Sequence, residues 1–242
     1  MEEQRQIRIS SLVESNAVFF FGLEAAIKRG VLVEFDYTAW EYTPTAEEYE
    51  ERQNVRRYWK KKISDGEAPP GHDAIMAAKI FKKSPSKLLV FREKLEGMSH
   101  DEREELFTRC LIFVADTAFG REVSRIISDY GVHFHEYFSE DDPEILTTYR
   151  ETNYLETLIT CHMISEGIDI RSVKNIILFS SDRQRLETVQ RIGRALRKDP
   201  TDPEKRAHVY DFVNLEPIEP DQHLPADWER YNWLSKLTET RG

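Results

Sequence analysis

The sequence predicts an α/β fold, a doubly wound and mostly parallel sheet with an N-terminal helical subdomain, on three observations. From about residue 105 onward, short apolar runs alternate with longer amphipathic stretches. The runs have the length of buried strands and the stretches between them have room for crossover helices, the alternation that yields right-handed β-α-β units. Before that point the chain is charged and helix-like, and its 242 residues suffice for one good core, or one core and a smaller subdomain.

The elements follow in order. Residues 45–62 (TAEEYEERQNVRRYWKKK) read as a helix, with Thr45 and Glu48 spaced as a capping box. The Pro/Gly-rich segment 65–71 breaks it, and a second helix is expected over 72–83. Candidate strands are 111–115 (LIFVA), 133–137 (HFHEY), 157–160 (TLIT), 175–179 (NIILF) and 208–212 (HVYDF). Helices are expected between them at 119–130, 143–151 and 183–197, and a last one within 221–242, where Trp228, Tyr231 and Trp233 offer apolar surface to a neighbour. The division is an entry segment and helical subdomain at 1–104, the sheet domain at 105–216 and a helical tail at 217–242.

Composition narrows the class. Hydrophobic residues make up 40% and aromatics 11%, which argues for a folded chain, and 32% charge argues for a soluble one. The net charge of -10 gives no general attraction for nucleic acid, so any such contact has to be local. The two cysteines, Cys110 and Cys161, sit in no disulfide or zinc pattern. The first residues lack the basic and apolar regions of a signal peptide, and no run nears the roughly 20 apolar residues of a membrane span. The expectation is a cytoplasmic protein with no membrane partner.

Chemistry concentrates late in the chain. In the helix expected at 183–197, Gln190, Arg194 and Arg197 are four and three residues apart and share a face. Two planar guanidinium forks and an amide would meet one object, and phosphate oxygens suit such forks. Gly193 beside them leaves room for close approach. Taken alone, an Arg-x-x-Arg pair more often marks a solvated basic face. Upstream, Ser165-Glu166-Gly167-Ile168-Asp169-Ile170 lies between two candidate strands. A carboxylate beside a glycine turn suits a sugar hydroxyl or an orienting contact to the arginines; alone it is an ordinary turn.

Together, in this order, the stretch LITCHMISEGIDIRSVKNIILFSSDRQRLETVQRIGRALR at 158–197 resembles motifs V and VI of superfamily 2 helicases. The likeness is greatest to the branch of XPB-like repair helicases and type I and III restriction motor subunits. Residues 111–116 with the helix after them resemble motif IV, and 23–32 resemble the segment entering the second RecA-like motor domain. The resemblance implies a RecA-like fold and the C-terminal motor domain of an ATP-dependent DNA helicase or translocase. By position it makes Arg194 and Arg197 the arginine fingers at the γ-phosphate, with Gln190 positioning them or touching the nucleotide. It turns Asp169 toward the ribose, has Glu166 and Gly167 shape the nucleotide side of the cleft, and gives Thr160 a contact to the nucleic-acid backbone. Arg171 stands where many relatives have proline. Thr117, Ser139, Thr160 and His162 all fall at strand ends and are candidates for a nucleic-acid track, with DNA the expected partner ahead of RNA.

The first half of such an engine is missing from the pattern. No Gly-x-x-x-x-Gly-Lys-Ser/Thr loop occurs, and Asp101-Glu102 follows a polar run and reads as a helix start rather than a magnesium carboxylate pair. ATP and Mg2+ would therefore be bound mainly by a first RecA-like domain, in the same or another chain. The isolated chain is expected not to hydrolyse ATP, as the C-terminal half of a larger enzyme or a split subunit would not.

Arg52, Arg56, Arg57, Lys60, Lys61 and Lys62, with Tyr58 and Trp59 among them, form the sustained basic-aromatic cluster. Such a helix more often packs its aromatics on the core and leaves its lysines in water than it grips nucleic acid. His133 and His135 lack cysteine or carboxylate companions, so no metal site is expected. Two other functions fit the same sheet: a non-catalytic module that docks a partner, and a doubly wound nucleotide-sugar enzyme whose arginines hold a diphosphate.

Overall fold

The computed structural model describes residues 22–138, 157–161, 173–180, 188–189, 191–193, 196–216 and 226–240. Within them the helices are α1 (Leu23–Lys28), α2 (Ala46–Ser64), α3 (His72–Lys82), α4 (Pro85–Glu96), α5 (His100–Phe107), α6 (Thr117–Ser128) and α7 (Ala226–Leu237). The strands are β1 (Phe35–Glu41), β2 (Cys110–Phe113), β3 (Phe134–Tyr137), β4 (Thr157–Thr160), β5 (Asn175–Leu178) and β6 (Ala207–Val213). They form one sheet in the order β1-β6-β5-β2-β4-β3, and every pairing is parallel.

Alternation along the strands sends side chains to two cores, one on each face. Leu111, Leu158, Ile176 and Val209 point to the face covered by Leu23 and Ile27 of α1, Ile192 of the helix carrying Arg191, Leu196 in the turn that follows, and Leu234 of α7. Ile112, Ile159, Ile177 and Phe212 point to the face covered by Phe91 of α4, Phe107 of α5, and Val123 and Ile127 of α6. Most of these side chains are almost wholly enclosed, and each such burial contributes roughly 1.5–3 kcal/mol. The sheet with helices on both faces is the doubly wound fold that the alternation predicts.

Strand β1 is an addition to the sequence reading. Residues 35–41 lie in the part read as helical, yet they pair with β6 along the sheet edge from Phe35↔Ala207 to Glu41↔Val213. The reason is visible in its composition: Phe35 and Trp40 are buried, while Asp36 is tied to Arg206 and Thr38 lies 2.8 Å from the His208 ring. An edge strand with polar partners shows no continuous apolar run. α4 also goes beyond the expected elements, whereas α5 begins at the Ser99/Glu102 capping box and makes Asp101-Glu102 the helix start it was read to be.

The helix caps follow local chemistry. The Thr45 hydroxyl accepts from Glu48 N at 3.2 Å and the Glu48 carboxylate accepts from Thr45 N at 2.8 Å, closing the α2 capping box. Between α2 and α3 the chain turns through Gly66 and Gly71, at φ 76° and 83°, a left-handed region that costs glycine little. The C-terminal helix corrects one expectation. Tyr231 packs on Tyr37 with ring centroids 6.1 Å apart and Trp233 packs on the core, so these aromatics serve the chain's own sheet. The expected helix at 143–151 lies outside the described residues. Among the described residues no helix is long and apolar enough to cross a membrane.

Candidate functional site

In a parallel α/β sheet, ligands gather beyond the carboxyl ends of the strands, where loops open and helix N-termini point. Here that edge is formed by the residues after β2, β4 and β5, with the arginine helix beside it.

After β2 the chain passes through Val114 and Ala115 to Asp116, which caps α6 by accepting from Phe119 N at 2.9 Å. Lys83, just beyond α3, forms an ion pair with the same carboxylate. Partial burial works to raise the Asp116 pKa, but the Lys83 ammonium and the α6 amides outweigh it and hold the carboxyl below its usual range. Thr117, the first residue of α6, is half-buried at this corner. Gly120, one turn on, lets α6 lie close to the sheet edge, since a Cβ there would meet the Phe138 ring at 2.6 Å.

Thr160 ends β4 and is wholly buried, its carbonyl accepting from Val114 N at 2.9 Å. That burial bears on its expected role, because a nucleic-acid backbone would meet half-exposed Cys161 before the Thr160 side chain. The Thr160 side chain therefore lies behind the end of β4 rather than at its surface.

The carbonyls after β5 are each held by a buried cation. Lys87 of α4 donates to Phe179 O at 2.7 Å, with its ammonium 4.8 Å from the centre of the Tyr42 ring. Burial, more than any neighbouring charge, pushes its pKa down to about 8. Arg191 donates to Ser180 O and sets its guanidinium 4.9 Å over the Phe113 ring at the end of β2. Arg191 belongs to the arginine motif but faces inward with Thr188, Ile192 and Leu196, all buried. It fastens that helix to the sheet edge through two strands at once.

Beyond this buried stripe the surroundings differ, and the helix expected to run to Arg197 does not do so: Leu196 lies in a turn and Arg197 in an isolated bridge. Among the described residues, a Cβ on Gly193 would meet nothing within 4 Å, which leaves the room expected there. Arg197 has an exposed side chain on an anchored backbone. Val33 N donates to Leu196 O at 2.8 Å, Leu32 bridges Arg197, and Lys205 donates to Arg197 O at 2.9 Å. Burial lowers the Lys205 pKa to about 8 against the pull of Asp199. Asp199 accepts from Thr201 N at 2.9 Å and faces Arg109 at 3.5 Å, which steadies the turn after the helix.

The remaining sequence candidates, Gln190, Arg194, Glu166, Gly167, Asp169, Ser139 and His162, lie outside the described residues. Of the ten site residues read from the sequence, Arg197, Thr117 and Thr160 are placed. Sequence reasoning passed over Arg191, Lys205 and Lys87. The available signal was a cation on an otherwise apolar stripe: Lys87 in KLLVF, Arg191 among Thr188, Ile192 and Leu196. Among the described residues no three His, Cys, Asp or Glu side chains gather as a metal-binding set.

A further buried network ties the tail to the sheet. Arg230 of α7 reaches both oxygens of Asp211 on β6, at 2.7 and 3.0 Å, and Tyr37 donates to the same carboxylate at 3.0 Å. Burial pushes the Asp211 carboxyl upward and outweighs the opposing pull of Arg230.

Comparison with known proteins gives consistent results. Residues 80–199 match the model of the helicase conserved C-terminal domain. Over 128 residues the chain is 24% identical to IRC3 of Saccharomyces cerevisiae, described as an ATP-dependent helicase, a match covering 51% of this chain. It spans only 18% of that relative's length. Two solved structures from Sulfolobus solfataricus share the fold. The SWI2/SNF2 ATPase core in complex with dsDNA superposes with a TM-score of 0.51 at 14% identity, over 74% of this chain and 41% of that one. The SWI2/SNF2 ATPase C-terminal domain gives 0.51 at 12% identity, over 86% and 87% of the two chains. The all-parallel sheet flanked by helices is the RecA-like fold expected from the sequence.

Proposed function

We propose, from the premise that residues 80–199 belong to the helicase conserved C-terminal domain family, that this chain is the second motor domain of an ATP-dependent DNA helicase or translocase. The observation that carries the reading is Arg197: an exposed guanidinium on a backbone fixed by Val33, Leu32 and Lys205, beside open space at Gly193.

ATP with Mg2+, held mainly by a first RecA-like domain, supplies the phosphoryl group whose transfer to water drives such motors. This chain's residues do the rest of the described work. Arg197, together with Arg194, neutralises charge on the phosphate oxygens when the two domains close. Gln190 positions that pair, and Glu166, Gly167 and Asp169 line the sugar side. Lys205 and Arg191 contribute by keeping the helix from shifting, since a finger displaced by 1 Å loses much of its effect. DNA would run past Thr117, Ser139 and His162 at the strand ends, with Thr160 behind them. The dsDNA in the Sulfolobus complex supports the choice of DNA ahead of RNA. By itself the chain is inactive toward ATP.

The test joins this chain to a matching phosphate-loop domain, or uses the intact enzyme, and follows DNA-stimulated ATP hydrolysis. Arg197→Ala is expected to lower kcat by about 10³-fold, the lower range for an arginine finger, with nucleotide still bound. An unchanged kcat would remove Arg197 from the mechanism.

A further inference from the structure

The basic-aromatic helix α2 divides, in three dimensions, into two sets of cations. One set is committed inside the protein. Arg52 lies 5.3 Å over the Phe81 ring, Arg56 faces Asp73 at 3.5 Å, and Lys62 pairs with Glu67. The other set is Arg57, Lys60 and Lys61, all exposed and, among the described residues, without a carboxylate partner; Arg57 donates only to the neutral amide of Asn54. At 100° per residue these three fall on the side opposite the half-buried Val55, Trp59 and Ile63, so they form one outward face.

Tyr58 stands beside that face. It is 57% exposed, one of the few large apolar side chains so open among the described residues, while its neighbour Trp59 is turned in against His72 at 4.3 Å. No acidic residue occurs between Arg52 and Ser64. In a protein of net charge -10, this is a local inversion of sign, and a local field is what a polyanion meets.

Position gives the patch its reach. α2 leaves the carboxyl edge of the sheet directly after β1, and α3 returns to the same edge, where Lys83 grips Asp116 next to Thr117. With a rise of 1.5 Å per residue, Arg57 to Lys61 sit roughly 20 Å out from that root.

We propose that the outer face of α2, formed by Arg57, Lys60 and Lys61 with Tyr58 at its side, binds the phosphate backbone of nucleic acid that extends beyond the motor's strand-end track. This rests on the reading that the chain acts on nucleic acid. The convex, exposed face suits a backbone passing across it, and an aromatic ring among cations adds contact with a sugar or an unstacked base.

The test measures binding of a labelled blunt DNA duplex to the full chain, without nucleotide, from 50 to 200 mM salt. The triple variant Arg57→Gln, Lys60→Gln, Lys61→Gln is expected to raise Kd at least about tenfold at low salt and to flatten the slope of log affinity against log salt by roughly 2 to 3. A charge-matched control, Lys28→Gln, Lys94→Gln, Lys236→Gln, takes three exposed cations from elsewhere and is expected to leave that slope in place. Equal slopes for wild type and triple variant, equal loss in the control, or no duplex binding by the wild-type chain would each overturn the proposal. An unchanged slope together with a loss of affinity for an acidic protein in the triple variant would overturn the proposal and assign the face to such a partner instead. Because no ATP is present, the outcome is separate from the Arg197 result.

Discussion

Lysine and arginine are used in opposite ways at the sheet edge and on the α2 hairpin. At the sheet, Lys87, Arg191, Lys205 and Arg230 are buried, and their donors end on Phe179 O, Ser180 O, Arg197 O and the Asp211 carboxylate. On the hairpin, Arg57, Lys60 and Lys61 are exposed and uncommitted to carboxylates among the described residues. A buried cation is costly unless every donor is matched, so it fixes its partner's position; an exposed one is nearly free and stays available. The buried cations therefore hold the helix at Arg191, the backbone at Arg197 and the strand ends still, and the exposed ones face outward.

The contrast predicts a ranked series of effects on stability. Arg230→Met leaves the buried Asp211 carboxylate without its cation, with Tyr37 still donating to it, and is expected to cost about 3–5 kcal/mol in urea unfolding. A loss below about 1 kcal/mol would mean that the pair is not isolated from water.

Lys87 gives a smaller effect with a defined pH sign. Its folded pKa, about 8, lies below the usual lysine value, so between the two the unfolded chain binds more protons. Burial of the charged form is a full cost below pH 8, and the cost fades as pH rises toward 10. Wild type should thus gain on Lys87→Met between pH 7.5 and 9.5, by on the order of 1–2 kcal/mol. A pH-independent gap would show that Lys87 is neutral or solvated throughout.

The smallest effect belongs to the hairpin. Arg57→Gln, Lys60→Gln, Lys61→Gln should shift stability by no more than about 0.5 kcal/mol, because among the described residues they pair with no carboxylate and only Arg57 bonds a side chain, the exposed Asn54. A larger loss, read by the same unfolding experiment, would erase the distinction between the two regions.

Much of this was legible in the sequence wherever local pattern and tertiary role agree. The run TLIT became β4 at its expected bounds, and Thr45 with Glu48 formed the capping box that their spacing predicts. The three-four spacing of Gln190, Arg194 and Arg197 presupposes one helix, but Leu196 lies in a turn and Arg197 in an isolated bridge to Leu32, and the other two lie outside the described residues. Legibility failed where a residue's role depends on a distant partner. Asp36 and Thr38 look like loop residues until Arg206 and His208 stand beside them. Arg191 counts as polar in any periodicity, yet it lies on the buried stripe because Phe113 and Ser180 receive it. The α2 cations could not be divided by sequence, since Asp73 and Glu67 select Arg56 and Lys62 only after the hairpin closes.

The edge pairing of β1 with β6 sets a timetable for synthesis. Thr38 and His208 are 170 residues apart in the chain. At about 5–20 residues per second, β1 leaves the ribosome roughly 10–30 s before β6, its sheet neighbour among the described residues, exists. During that interval Phe35 and Trp40 have no strand to lie against, so nascent chains stopped short of Ala207 should be the ones that chaperones hold and proteases cut.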